Sequence, residues 1–201
     1  MPRAWKRFTF GFGMVLWMTV PFFPADAAQL TIDRDHSNVG FSVRHLFTRV
    51  QGRFRDFAGT ITFDESHPES SSVSVTIQTA SIDTNVEARD TDLRSARFFD
   101  AAAFPTLTFQ SHDVTPVPGA ERFTINGTLM MHGVSREVAL DAELLGRGKD
   151  PWGNVRYGFH ATARLNRKDF GMQWNEVIET GGVLVGDEVE ITLDIDATPA
   201  E

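Results

Sequence analysis

Residues 89–111 read RDTDLRSARFFDAAAFPTLTFQS, and they carry one short helix into one strand. Upstream, Thr84 and Asn85 offer an N-cap, and Glu87 falls in the first turn, where a carboxylate complements the helix dipole. Asp90 and Arg94 stand four apart with the acid first, the favourable order for a surface pair. Leu93 and Ala96 share a face, Phe98 and Phe99 follow, and Pro105 rules out more helix. From Thr106 to Gln110 polar and apolar residues alternate, as in a half-buried strand. A single helix ending in two aromatics, set among strands, suits the plug or cap of a sheet closed on itself.

The alternation continues on both sides. Upstream it runs through Leu30 and Ile32, then Val39, Phe41 and Val43, as one strand broken near Asp35-His36-Ser37. Arg44-His45-Leu46-Phe47 has the length of one helical turn. A second long strand spans Val50 to Phe63 and bends near Asp56-Phe57; Val73, Val75 and Ile77 form a third. Downstream, alternating runs centre on Ile125, Leu140, Phe159 and Leu193, separated by Pro- and Gly-containing turns. The segment 166–182 is irregular. The count is about eight strands with one inserted helix, a mainly all-β chain. Short connections favour antiparallel neighbours. Eight such strands close into an up-and-down barrel whose interior holds one small ligand. A two-sheet sandwich is the alternative, and several runs of ten residues or more favour the barrel.

The 201 residues make one domain of ordinary size, with a formal charge of −8 that argues against an electrostatic nucleic-acid binder. There is no Cys, so disulfides, thiolate metal sites and Cys nucleophiles are excluded. The aromatic set is 17 Phe, 4 Trp and 1 Tyr, bulk without hydrogen-bonding groups, which serves either a packed core or a lined cavity. Residues 1–27 have the form of a secretory signal peptide: Arg3, Lys6 and Arg7, an apolar run to Phe23, and Ala25-Asp26-Ala27 before a cut at Ala28. Its removal takes away three bases and one acid and lowers the net charge to −10. The expected organisation is therefore a leader at 1–27 and one barrel domain at 28–201, exported and not inserted in a membrane after cleavage.

Several stretches together resemble the YceI-like family. They include Asp35-His36-Ser37, Phe41-Ser42-Val43-Arg44-His45, Gly52-Arg53-Phe54, and Ala80 to Thr84. Further along are Phe98-Phe99-Asp100 with Phe104-Pro105, His132-Gly133-Val134, Asn166 to Gly171, and Val185 to Val189. Each piece alone is weak, but the ordered set covers nearly all of residues 30–196. The resemblance implies a lipocalin-like antiparallel barrel with a helix at its side or mouth, a long apolar pocket for an isoprenoid or similar amphiphile, and a periplasmic address.

For such a pocket the chain supplies apolar residues at alternating positions: Phe41, Val43, Phe54, Phe109, Met131, Phe159 and Phe170. Arg89 and Arg94, with Arg44 and Arg167, offer guanidinium groups for a head group such as a phosphate or quinone oxygen. The expected partner is a long-chain isoprenoid or fatty-acyl lipid, with an isoprenoid quinone or polyprenyl phosphate as candidate ligand. No catalytic motif is present: there is no G-x-S-x-G elbow, and the adjacent residues Asp35-His36-Ser37 cannot converge as a triad from one strand. No H-x-x-x-H spacing suggests a metal. The expectation is a non-catalytic periplasmic carrier without a cofactor. A filled barrel acting in envelope stress through its surface is the alternative, and a homodimer is left open.

Overall fold

The structure, a computed structural model, describes residues 27–177 and 182–200. The expected signal peptide lies outside the described residues except for Ala27. The elements in chain order are β1 (Ala28–Ile32), β2 (Asn38–His45), β3 (Thr48–Phe54), β4 (Phe57–Phe63), β5 (Ser72–Gln78), β6 (Ile82–Asp83) and α1 (Glu87–Arg94). Then follow β7 (Thr106–Pro116), β8 (Arg122–Met131), β9 (Val134–Lys149), β10 (Val155–Asn166) and β11 (Val185–Pro199).

These segments form eight staves, because three of the staves are broken. β1 and β2 are one, β3 and β4 the next, β5 and β6 the third; each keeps the same neighbour across its break. All pairings are antiparallel and follow chain order. β11 closes the ring by pairing with β10 on one edge and with β2 and β1 on the other, Ile191 opposite Phe41 and Ala197 opposite Ile32. The sandwich is thereby excluded; the fold is an eight-stranded antiparallel barrel with one α-helix among the described residues.

The break between β1 and β2 is a 3-10 turn at Arg34–His36. Asp33 caps it, accepting from the Asp35 N–H at 3.0 Å, and its second oxygen meets His36 Nδ1 at 2.7 Å. Ser37 Oγ donates to the Asp33 carbonyl at 2.6 Å and accepts from the Asp196 N–H at 2.9 Å. The Asp-His-Ser stretch thus stitches a kinked strand to β11. It is turn chemistry.

Inward positions alternate with outward ones along every stave. On β11 Ile191, Leu193 and Ile195 face in, while Glu190 and Asp194 face out. Where a ring crosses a neighbouring strand the sequence places glycine. A Cβ on Gly127 falls 2.5 Å from the Phe109 ring and 2.6 Å from the Gln110 carbonyl, so Phe109 lies flat over that strand. Gly127→Ala is expected to cost roughly 1–3 kcal/mol by overpacking, read as a lower denaturant midpoint with unchanged slope.

Two local expectations are corrected. Arg44-His45-Leu46-Phe47 is no helical turn: β2 runs through His45 and a tight two-residue turn, Leu46-Phe47, leads into β3. At α1 the N-cap is Val86, without a side-chain bond. Thr84 instead turns to Asp90, whose Oδ1 accepts from the Thr84 N–H at 2.9 Å and its hydroxyl at 2.5 Å. Asp90 is 3% exposed and makes no surface pair; Arg94 meets Glu87 instead, at 3.2 Å. A short polar helix with one face turned to the barrel gains more by satisfying a buried carboxylate than by an exposed ion pair.

Candidate functional site: an apolar cavity

An internal cavity of about 260 Å³ runs along the barrel axis, and its accessible wall is wholly apolar. Every stave contributes to it. Space exists because small residues face each other where β9 and β10 pair: Ala142 lies opposite Ala161, and Ala163 follows two positions on. One end is closed by rings. Phe63 makes edge contacts with Phe123, Tyr157 and Phe159 at centroid separations of 6.1, 6.3 and 5.5 Å.

The other end is built differently. The β5–β7 ladder stops at Gln78 opposite Thr106, and β6 pairs only with β3. No ladder joins β6 to β7. The gap is filled by α1 and residues 95–105, which turn Leu93, Phe98 and Phe99 to the cavity. Phe99 meets Phe54 edge-on at 5.8 Å, and Phe98 meets Trp174 at 5.1 Å. The Arg97 guanidinium lies 4.4 Å from the Trp174 ring centroid. This segment is a lid made of side-chain contacts, set in a wall otherwise made of backbone ladder.

Six of the expected pocket residues line the cavity: Phe41, Val43, Phe54, Phe109, Met131 and Phe159. Phe170 is buried in the core without reaching the wall. Arg89 and Arg94 do not line it either. Arg89 directs Nε to the Thr84 hydroxyl at 2.7 Å and Nη2 to the Thr84 carbonyl at 2.9 Å. Arg94 donates to the carbonyls of Ala80 at 2.9 Å and Ile82 at 3.1 Å. Arg94 fastens the lid to β6 and the turn before it, and Arg89 fastens it to Thr84 just after β6. Arg44 donates to the carbonyls of Leu46 and Val183.

Arg167 is the one charged residue on the wall among those described, and only its stem is there. It is 4% exposed. Its donors go to the carbonyls of Gly186 at 3.0 Å, Met172 at 2.6 Å and Trp174 at 2.8 Å, and to Asp187 at 3.1 Å. The group organises the segment after β10 and leaves the cavity dry.

Wall residues beyond the expected set include Leu93, Phe98 and Phe99 on the lid and Ile191 and Leu193 on β11. The β11 pair had a signal in the sequence: Glu190 and Asp194 occupy the opposite parity, and charges belong outside a barrel. Among the described residues no group of three or more His, Asp or Glu side chains is placed to hold a metal ion.

At the plugged end, Arg156 ties three segments together. Nη1 reaches Asp33 at 2.9 Å and Asp196 at 2.8 Å, and Nε reaches Asp150 at 3.3 Å. Hydrogen bonds from the Asn154 side chain and backbone, then Arg156 and the Trp152 N–H, outweigh desolvation and bring the Asp150 carboxyl down to about 2. Burial raises Asp33, but Arg156, His36 and the Asp35 N–H hold it below the usual carboxylate range. A depressed folded value means these carboxylates stabilise the fold above the ordinary Asp value of 3.8 and lose that effect as pH falls through the folded value. Asp150→Asn is therefore expected to flatten the fall in stability between pH 3.8 and about 2. Thermal melts across that window check it; equal slopes for variant and parent count against the assignment.

The residues matched by the YceI-like domain model are 30–197, almost the whole described barrel. The chain belongs to the YceI-like family. A UPF0312 protein of Azotobacter vinelandii is 43% identical over 152 residues, 74% of this chain and 79% of that one. Among solved structures, Burkholderia cenocepacia BcnA superposes with a TM-score of 0.74 at 24% identity, covering 83% of this chain and 99% of its own. A polyisoprenoid binding domain from Saccharophagus degradans superposes at 0.61 and 14% identity, covering 87% of this chain and all of its own. Both structural likenesses speak to the YceI-like barrel alone. No helix among the described residues is long and apolar enough to cross a membrane.

Proposed function

We propose that this YceI-like barrel is a non-catalytic carrier that binds the hydrocarbon chain of an isoprenoid, or of a similar long-chain amphiphile, along its axis. The observation that carries the reading is the cavity: about 260 Å³, elongated, and without a polar atom on its accessible wall. Such a wall rewards methylene and methyl groups at about 0.8 kcal/mol each and penalises any polar group placed inside. A phosphate head group therefore stays outside, at the lid end, with only the tail enclosed. A quinone ring, being uncharged, has the weaker reason to do so. The Saccharophagus degradans domain of the same fold is named for polyisoprenoid binding, which agrees with this choice of ligand. The leader-like residues 1–27 support export to the periplasm. A barrel filled by its own side chains, acting only through its surface, leaves the cavity without a purpose.

Native mass spectrometry of the protein purified from its own envelope, followed by solvent extraction, tests the reading. A stoichiometric long-chain species is the expected result. An apo mass, with no uptake of added quinone or polyprenyl phosphate, would falsify it.

A further inference from the structure

Phe47 is 85% exposed, whereas every other described phenylalanine is buried or half-buried. It sits at the apex of the β2–β3 turn, beside Leu46, whose φ of 52° sets the tight bend. Val177 is 83% exposed and bridges to Val183. The Leu46 N–H donates to the Leu184 carbonyl at 2.8 Å, and the Leu184 N–H to the Glu176 carbonyl at 2.9 Å. These bonds tie the β2–β3 turn to the segment that carries Val177.

Their place on the barrel is the lid end. β2 and β3 meet there, β6 leads there, and Val185, opposite His45, starts β11 at that level. The opposite end carries the ring plug of Phe63, Phe123, Tyr157 and Phe159.

We propose that the Phe47 tip, with Val177, docks the lid end of the barrel on an anionic lipid bilayer; the proposal rests on the carrier reading above and names the surface from which the ligand enters. Two observations select a bilayer. The projection is a turn apex with few apolar side chains, far smaller than the roughly 800 Å² a protein partner covers on each side, whereas an interfacial anchor needs only such a tip. The β2–β3 turn itself is also basic, which suits anionic head groups. Arg44, His45 and Arg49 lie within five residues of one another on the tip, in a chain of net charge −8. Arg49 is paired to Glu190, but among the described residues Arg44 meets only the carbonyls of Leu46 and Val183. Among the described residues its remaining N–H groups have no acceptor, so they can meet a lipid phosphate. Glu176 stands beside Val177 and tempers the field, so ring insertion carries more of the binding than charge does. The hydrogen-bonded turn is already rigid, so little ordering cost attends insertion.

The far end of the barrel sets up the control, because Trp152 is 82% exposed there. Co-sedimentation of the purified protein with vesicles of equal parts phosphatidylcholine and phosphatidylglycerol is the test. Phe47→Asp is expected to lower the bound fraction about tenfold or more, the factor that burial of one Phe side chain is worth. Trp152→Ser is expected to bind as the parent does. Because Phe47 faces solvent, its variant keeps the parent's melting midpoint and far-ultraviolet spectrum. Parent protein that does not sediment with the vesicles overturns the proposal. So does loss of binding in Trp152→Ser with retention in Phe47→Asp. Loading from detergent micelles, read by native mass spectrometry, separates the two readings: parent and Phe47→Asp fill equally if the carrier reading holds. A parent that stays empty in micelles removes the carrier reading, whereas vesicle binding is scored independently of it.

Discussion

Ala163→Phe is expected to reduce bound lipid by roughly tenfold or more while leaving the melting temperature equal or higher. Ala163 lies opposite Ile191 across the β10–β11 ladder, and both line the cavity. A phenyl ring there projects into space that the ligand chain needs. A filled void also restores dispersion contacts that the bare wall lacks, so the fold gains where binding loses. That opposite movement of two readouts separates a blocked cavity from a damaged protein. Lipid extracted per mole of protein, set beside a thermal melt, gives both. A folded variant with undiminished lipid places the ligand elsewhere. Phe109→Asp is the poorer probe: Phe109 is buried and lies over Gly127, so a carboxylate there is desolvated without a partner and the fold itself is at risk.

Arg167→Met is expected to destabilise the barrel by about 3–5 kcal/mol, the range for removing one partner from a buried charged network. The substitution keeps most of the apolar stem on the cavity wall but removes the donors to three carbonyls. Gly186, Met172 and Trp174 are then left with buried acceptors, at about 1–3 kcal/mol for each one that water does not reach. Asp187 suffers less, since Lys168 still donates to it at 2.8 Å. Arg167→Lys is not expected to rescue stability, because one ammonium cannot serve acceptors spread around a planar fork. Urea titration reads the effect as a shifted midpoint; a change under 1 kcal/mol means that the segment after β10 satisfies its carbonyls in another way. Trp174 is the ring that Phe98 and Arg97 rest on, so loosening it loosens the lid.

The family and the stave count were legible because they depend on local pattern. Alternation marks strands whatever they pack against, and the ordered motifs carry the family. Both strand breaks expected near Asp35-His36-Ser37 and Asp56-Phe57 are present, the first because the Asp33 and Ser37 side chains bond to nearby backbone, with His36 on the Asp33 carboxylate, and so announce a turn. The inward parity of β11 was also written in the chain, through Glu190 and Asp194.

What the residues by themselves could not assign was which partner each polar side chain takes. The four spacing between Asp90 and Arg94 suggests a surface pair, yet Asp90 turns inward to Thr84 and Arg94 reaches back to the carbonyls before and within β6. A buried carboxylate outbids an exposed ion pair, but burial is set by where the helix lies on the barrel. Arg89 and Arg94 are likewise lid fasteners in the fold. The cavity was undetermined too, since the same 17 Phe residues can fill a barrel or line one. Whether rings meet across the axis depends on barrel radius and on where Ala142, Ala161 and Ala163 fall in register. The sequence alone determined about eight antiparallel strands with one inserted helix, because strand period and turn chemistry are local. The tertiary structure alone decided that the sheet closes through β11, that the interior stays open and that the helix seals an unpaired seam, because all three depend on distances between residues far apart in the chain.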